Sequence, residues 1–323
     1  MKRVLTTLLA MALGACAATS AHAQAEYPAK PVRVLVGYAP GGAADLHARL
    51  IAEGLQKQLG QPFIVENRQG AAGVLAAQAL KAQPADGYTL MVATSGAMAI
   101  PQNFQTLPYD PLTDFIPVAQ AIANDLVMIV NNRSPAHNAD EFIKLVKSEN
   151  GHYSYGVSGH GSITHIAGER LKRELGIDMQ VIPYRGDSMA FADTMGGSVP
   201  ASLVAMPSVA QAVKAGQVRA LFVTGSKRLA PFPDLPTLVE LGHPDFVMSS
   251  WIALFAPAGT PAPVVKKLSD AVGRIMADPE LVKSLESTGA RVEYRDQASF
   301  EKFFRQDVDN FARIIRDAKI TAK

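Results

Sequence analysis

VRVLVGYAPGGAAD (residues 32–45) joins an alternating apolar run to a Pro-Gly-Gly turn and then to Asp45. Val32, Val34 and Val36 fit one face of a strand, while Ala48, Ile51, Ala52, Leu55 and Leu59 recur at helical spacing beyond the turn. The glycines therefore fall between a strand and a helix. Without a Cβ, Gly41 and Gly42 let the backbone approach a ligand and aim amide donors at it, and the helix amino terminus that follows favours negative charge. The same turn also serves as a plain strand-to-helix connection, and these residues alone leave both readings open. Two cofactor cradles are excluded: no Lys-Ser/Thr pair completes a phosphate loop, and GxGxxG is absent.

On the carboxyl side, strand and helix signals alternate. Residues 63–66 read as a strand, 73–81 as a helix and 88–93 as a third strand, a βαβαβ progression that predicts a mostly parallel sheet with helices on its faces. Breakers crowd 101–117, after which 126–130 begins a new apolar run. Helical spacing returns over 140–148, 162–175 and 188–195, with strands at 153–157 and 218–223. The apolar 251–255 run, a PAGTPAP turn, and helices over 264–276 and 301–315 complete the chain. This order predicts that the first and last portions form one lobe and the middle another, with two crossings between them.

The amino terminus concerns compartment. Lys2 and Arg3 precede an apolar segment over 4–13, and Ala21-His22-Ala23 supplies small residues for cleavage, the pattern of an export signal. Leu13-Gly14-Ala15-Cys16 also matches a lipobox, in which Cys16 would become a lipidated terminus. Soluble export after Ala23 is the favoured reading, and it removes the only cysteine. The chain has 31 basic and 29 acidic residues, and loss of Lys2 and Arg3 leaves 29 of each. That balance gives no case for nucleic acid or an acidic membrane as partner. A hydrophobic content of 48 % and 25 glycines with 21 prolines suit a well-cored α/β chain of one large unit or two lobes.

Several short motifs bear on chemistry. GVSGH (156–160) approaches the GxSxG nucleophile elbow but ends in His160, and no base and carboxylate accompany Ser158. His160 and His165 lack the HExxH spacing, so neither a metal nor a cofactor is expected. Ser158, Ser162 and Thr164 supply hydroxyls before a helix, with Ser162 equally suited to capping it. In IPYRG (182–186), Tyr184 offers a wall and Arg185 a carboxylate partner, or the segment is a turn with an exposed arginine. TSGAM (94–98) follows an apolar strand and sets Thr94, Ser95 and Gly96 at a sheet end. Loops after strands are where open α/β folds bind ligands.

Taken together, YPAKPVRVLVGYAPGGAAD, LGQPFIVENRQGAAG, PADGYTLMVATSG, LPYDPLTDF, SYGVSGHGSITHIAGE, VIPYRG and WIALFAPAGTPAPVV resemble the Bug-type extracytoplasmic solute receptors of tripartite tricarboxylate transporters. The resemblance spans nearly the whole chain after the export segment. It implies a type II periplasmic-binding-protein fold, two α/β lobes with an interlobe ligand cleft. The expected division is an export segment over 1–23, one lobe from 27–125 plus 249–323, and a second from 126–248. Carried onto this sequence, the resemblance implies a carboxylate site from Gly41, Gly42, Ala43, Asp45, Thr94, Ser95 and Gly96. The second lobe adds Ser158, His160, Gly161, Ser162, Thr164 and Pro183, Tyr184, Arg185 and Gly186. Tyr38 and Met98 are candidate apolar walls.

Asp45 repels an anion unless it meets a ligand amine, orients water or turns to the scaffold, where it would act as a helix cap. GGSVPASLVAMPS (196–208) stands where the family reads approximately GGQVDVMFDNLPS, which places Pro200, Val204 and Ala205 at polar positions of that pattern. A more apolar wall at Val204, and so an aromatic or otherwise less polar carboxylate, is expected. The implied function is capture of a small organic carboxylate, aromatic or dicarboxylic, in the periplasm and its delivery to a two-component membrane permease by a monomeric, non-enzymatic receptor. A ligand sensor for a signalling partner and a hydrolase built on Ser158 are the alternatives.

Overall fold

The computed structural model describes residues 27–317 and 320. The expected export segment, its cleavage after Ala23 and Cys16 lie outside the described residues.

The opening stretch folds as its pattern directs. The strand β1 (Val32–Val36) is almost wholly buried, and α1 (Ala43–Leu59) buries Ala48, Ile51, Ala52 and Leu55 beneath it before Gly60 ends it in a left-handed cap. There follow β2 (Phe63–Asn67), α2 (Val74–Lys81), β3 (Thr89–Thr94) and the short α3 (Ser95–Met98). Both β2 and β3 pair with β1 in parallel. A 17-residue strand, β4 (Phe115–Asn131), then leaves this group.

The middle of the chain supplies α4 (Ala139–Ser148), β5 (Ser154–Val157), α5 (Ile163–Leu175), β6 (Gln180–Pro183), α6 (Asp187–Gly196), β7 (Ala201–Ala205), α7 (Met206–Lys214) and β8 (Val218–Val223). The chain returns through β9 (Ser249–Pro257) and ends with α8 (Ala262–Met276), α9 (Pro279–Glu286), β10 (Ala290–Arg295) and α10 (Gln297–Asp317). The strand order is β2-β1-β3-β9-β4-β7-β5-β6, with β8 and β10 also pairing with β4.

The long strand is the spine of both lobes. Its first part, to Asp125, pairs with β9; from Leu126 it pairs with β7. The sheet is less parallel than the sequence pattern predicts, because the returning β9 is antiparallel to both β3 and β4. The apolar signal at 126–130 marks only the end of β4. Its earlier part was hidden by Pro117, which sits at a register shift, and by Gln120, Asn124 and Asp125, which are buried yet polar. Gln120 accepts from Arg295 at 2.6 Å, and Asp125 accepts from Arg291.

Three apolar clusters fill the layers. One lies between β1, β3, β9 and the helices α1 and α8; another lies between β4, β7, β8 and α7. The largest continues from Leu35, Met91 and Phe255 to Phe142, Tyr155 and Leu171 of the other lobe. Trp251, Phe255, Phe300 and Phe304 pack edge-on and tilted in this cluster, with ring centroids 5.4 to 6.1 Å apart.

Candidate functional site

Where the two lobes face each other, the loops after β1, β3, β5, β6 and β7 meet around a cavity of about 30 Å³. This is room for about one water, so the lobes are closed on each other. The wall includes Ala43 and Ala44 at the start of α1, Ile163 and Thr164 at the start of α5, Asp187 at the start of α6, and Ala205 just before α7. Four helices of nine residues or more therefore point their amino termini at one small space, and Thr94 adds the cap position of α3. Among the described residues that line it, none is lysine or arginine. The positive potential comes from peptide dipoles.

The first loop is held by its own acid. Gly41 adopts φ +80°, a conformation that disfavours a side chain, and its amide donates to Asp45 Oδ2 at 3.0 Å. Arg49, one turn on, grips the same carboxylate at 2.9 and 3.0 Å, and Asn67 donates to it at 2.8 Å. Burial pulls the Asp45 carboxyl upward, but hydrogen bonds from Arg49, the Gly41 amide and Asn67, with the Arg49 charge, hold it below its ordinary value. Asp45 thus faces the scaffold. Tyr38 lines the cavity with its hydroxyl spent on the Ala72 carbonyl at 2.8 Å and on Thr94 at 2.9 Å.

The second lobe contributes a hydroxyl knot. Thr164 Oγ1 lies 2.9 Å from both Ser158 Oγ and Ser162 Oγ and accepts the Ser158 amide at 2.9 Å. Ser162 also caps α5 by accepting the His165 amide at 3.3 Å. Burial, with His160 and Lys172 adding to it, lowers His165 to about 4, so its neutral Nδ1 accepts the Gly161 amide at 3.1 Å. Among the described residues no imidazole hydrogen-bonds to Ser158, whose hydroxyl meets Thr164. Among the described residues, no group of three or more His, Cys, Asp or Glu is arranged to hold a metal ion.

Asp187 is the acid of the cavity wall. Its Oδ2 accepts from Ser208 at 3.1 Å, whereas Oδ1 is buried without a hydrogen-bond partner. Burial pushes its carboxyl up to about 6, with Ser208, the Ala205 amide and Ser158 easing the charge from nearby. Asn124 Oδ1, on the other lobe, is likewise buried and unpaired, while its amide nitrogen lies 3.3 Å from His47 Nδ1. Burial lowers His47 to about 4, so it stays neutral there.

Three hydrogen bonds tie the 38–43 stretch to the opposite lobe. The Ala39 amide donates to the Arg185 carbonyl at 2.9 Å, the Ala43 amide to Ser208 Oγ at 2.8 Å, and Ser188 Oγ to the Pro40 carbonyl at 2.9 Å. Gly186, at φ +144°, permits the approach, since a Cβ there would lie 3.1 Å from the Ala39 nitrogen.

Of the residues expected at a ligand site, Tyr38, Gly42, Ala43, Thr94, Ser158 and Thr164 come together on the cavity wall. Gly41, Asp45, Gly161 and Ser162 brace the loops behind it, and Ser95 is buried with its hydroxyl unpaired. Gly96 follows Ser95 in α3, and Met98 is core. His160 and Arg185 are exposed, Pro183 is exposed at the end of β6, and Tyr184 is turned onto Asp193 at 2.7 Å. Val204 packs in the second-lobe core beside Met206 and is not on the cavity wall. Ala205, singled out with Val204 in the sequence pattern, is on the wall, and Asn124, Asp187 and Ser250 are polar wall residues outside the expected set. The Arg-Gly-Asp sequence at 185–187, an acid directly after a glycine and before a helical pattern, was the available signal for Asp187.

A family profile described as "Tripartite tricarboxylate transporter family receptor" matches residues 47–320. Protein BugT of Bordetella pertussis is 33 % identical over 293 residues, which cover 90 % of each chain. A Rhodopseudomonas palustris protein solved with adipate superposes with a TM-score of 0.89 at 30 % identity, covering 92 % of this chain and 99 % of that one. MatC from the same organism, solved with bound malate, gives a TM-score of 0.84 at 31 % identity over 90 % of this chain and 100 % of that one.

Proposed function

We propose, since the chain belongs to the tripartite tricarboxylate transporter receptor family, that the cavity between its lobes is where a small organic carboxylate is captured for the membrane transporter. The chain is a periplasmic solute-binding protein with two lobes, a receptor and not an enzyme. One observation carries the assignment of the site: four helix amino termini converge on a space whose described lining holds no lysine or arginine. Orphan peptide amides there donate to carboxylate oxygens. Two relatives solved with adipate and with malate support a carboxylic acid as the ligand class.

Capture follows from the closed geometry. A ligand that touches both lobes stabilises the closed arrangement over the open one by its differential contacts. The transporter then receives a receptor whose shape reports occupancy. Export through a signal over residues 1–23, with release after Ala23, accords with that compartment.

The test is a thermal-shift titration of the exported chain with succinate, malate, adipate, citrate, amino-acid and aromatic carboxylates, followed by calorimetry on those that shift it. Saturable stabilisation by a carboxylate, abolished when Gly42 is replaced by Pro at the head of α1, is the expected result. A folded protein that none of these acids stabilises overturns the proposal.

A further inference from the structure

We infer that Asp187 makes this receptor selective for a carboxylate that also bears an ammonium group, held against its free Oδ1; the inference rests on the carboxylate reading above. The cavity is built for an anion by its helix termini, yet one wall residue is itself an acid. Two atoms decide what that acid asks of a ligand. Oδ2 is committed to Ser208 at 3.1 Å, which fixes the carboxylate plane, while Oδ1 is buried with no partner. Asn124 Oδ1 adds a second unpaired acceptor from the facing lobe.

Buried acceptors are paired in folded proteins, and a charged one is the costliest to leave alone. No lysine or arginine lines this space among the described residues, so a cationic donor has to arrive with the ligand. An ammonium group brings three donors and a charge, enough for both Asp187 and Asn124. A plain dicarboxylate brings only acceptors and a second negative charge, and Asp187 repels it. The acid therefore works by rejection as well as attraction. Asp45, by contrast, has no part in this choice, because Arg49, Asn67 and the Gly41 amide already occupy it.

The experiment compares matched pairs differing only in a 2-amino group: succinate with aspartate, glutarate with glutamate, adipate with 2-aminoadipate. Calorimetry on the wild-type receptor and on Asp187→Asn gives both affinities. At the chain length that fits, the amino acid binds wild type at least tenfold tighter than its unsubstituted partner, and Asp187→Asn reduces that ratio to about threefold or less. A purely structural role for Asp187 lowers both affinities together and leaves the ratio alone, which overturns the inference. Asp187→Ser, which also removes the charge, replaces the Asn variant if that one does not fold. Equal or tighter binding of the unsubstituted acids by wild type overturns the inference while leaving the carboxylate reading intact. Silence from both series overturns the carboxylate reading and this inference with it.

Discussion

Removing two of the three hydrogen bonds that tie the 38–43 stretch to the opposite lobe is expected to open the receptor without unfolding it. Ser188→Ala deletes the donor to the Pro40 carbonyl, and Ser208→Ala deletes the acceptor of the Ala43 amide. Both partners on the first lobe are backbone groups that water can reach once the lobes part; Ser208→Ala also takes the donor from Asp187 Oδ2, but within one lobe, so that loss falls on the open and closed forms alike. Each bond then contributes its net value, about 1 kcal/mol, and the double variant loses about 2 kcal/mol of closed-state preference. At 1.4 kcal/mol per tenfold, this is a roughly thirtyfold fall in the closed-to-open ratio. Energy transfer between dyes at Lys57→Cys and Lys147→Cys, two exposed positions on different lobes, reads that ratio directly. Ligand affinity should weaken by up to the same factor, because the competent state is rarer. A closed fraction within twofold of wild type in a double variant that melts normally refutes the latch. So does a melting temperature that falls in step with opening, since that places the bonds in the fold and not between the lobes.

Three further outcomes follow from other buried groups. Asp45→Asn should lower stability by about 2 kcal/mol, because it removes the charged acceptor of Arg49 and the Gly41 amide. Urea unfolding measures it, and a variant that keeps its stability but changes ligand preference contradicts the scaffold role. His47 has a folded pKa near 4, below its ordinary 6.5, so the unfolded chain takes up the proton first. Its contribution is full above about pH 6.5 and is lost as pH falls toward 4, by about 3 kcal/mol at most. Asp187 and Asp307, both raised to about 6, gain stability over the same fall. The readout is therefore the melting curve of His47→Gln against wild type, whose difference should shrink on acidification; a constant difference counts against it. Arg291→Ala leaves the wholly buried Asp125 without its cation and should cost about 3 kcal/mol in urea unfolding, whereas Asp125→Asn with Arg291→Met should cost less. Equal losses in the two would show that the ion pair is not what matters there.

The fold was legible where side chains obey one period and hidden where a buried strand carries polar groups. VRVLV and the Ala48-Ile51-Leu55 face of α1 announce themselves, as does the glycine that ends that helix. The first half of β4 does not, because Gln120, Asn124 and Asp125 read as loop residues unless Arg295, His47 and Arg291 are known to face them. Those partners are between 77 and 175 residues away in sequence, beyond any window. In the β7-α7 unit, ASLVA followed by MPSVAQAVK, the sequence pattern predicts a more apolar cavity wall at Val204. Pro207 in the first turn of α7 is a helix-start signal, and it places Ala205 at the cap and Val204 inside the sheet. The candidate site was legible as a set of loops. Which atom of each loop reaches the cavity was not, since that depends on the contacts between lobes.

Asp45 and Asp187 show how much of that choice is nonetheless local. Both follow a glycine-bearing loop and both sit in the first turn of a helix, where a carboxylate is favoured. Four residues after Asp45 comes Arg49, on the same helix face and close enough to neutralise it. Four residues after Asp187 comes Phe191, and three after it Ala190, so its own helix offers no cation. An acid with a partner one turn away is bound to its scaffold before the lobes ever meet. An acid without one keeps an unspent oxygen: Ser208 of its own lobe takes Oδ2, and Oδ1 has no hydrogen-bond partner among the described residues. The spacing of one arginine thus separates a loop brace from a recognition group, and Phe191→Arg is its direct test. If an arginine at i+4 can reach Asp187, it should spend Oδ1 internally and reduce the amino-acid preference as Asp187→Asn does, with the charge of Asp187 still in place. A preference that survives an arginine shown to pair with Asp187 would mean that the free oxygen is not what selects the ligand.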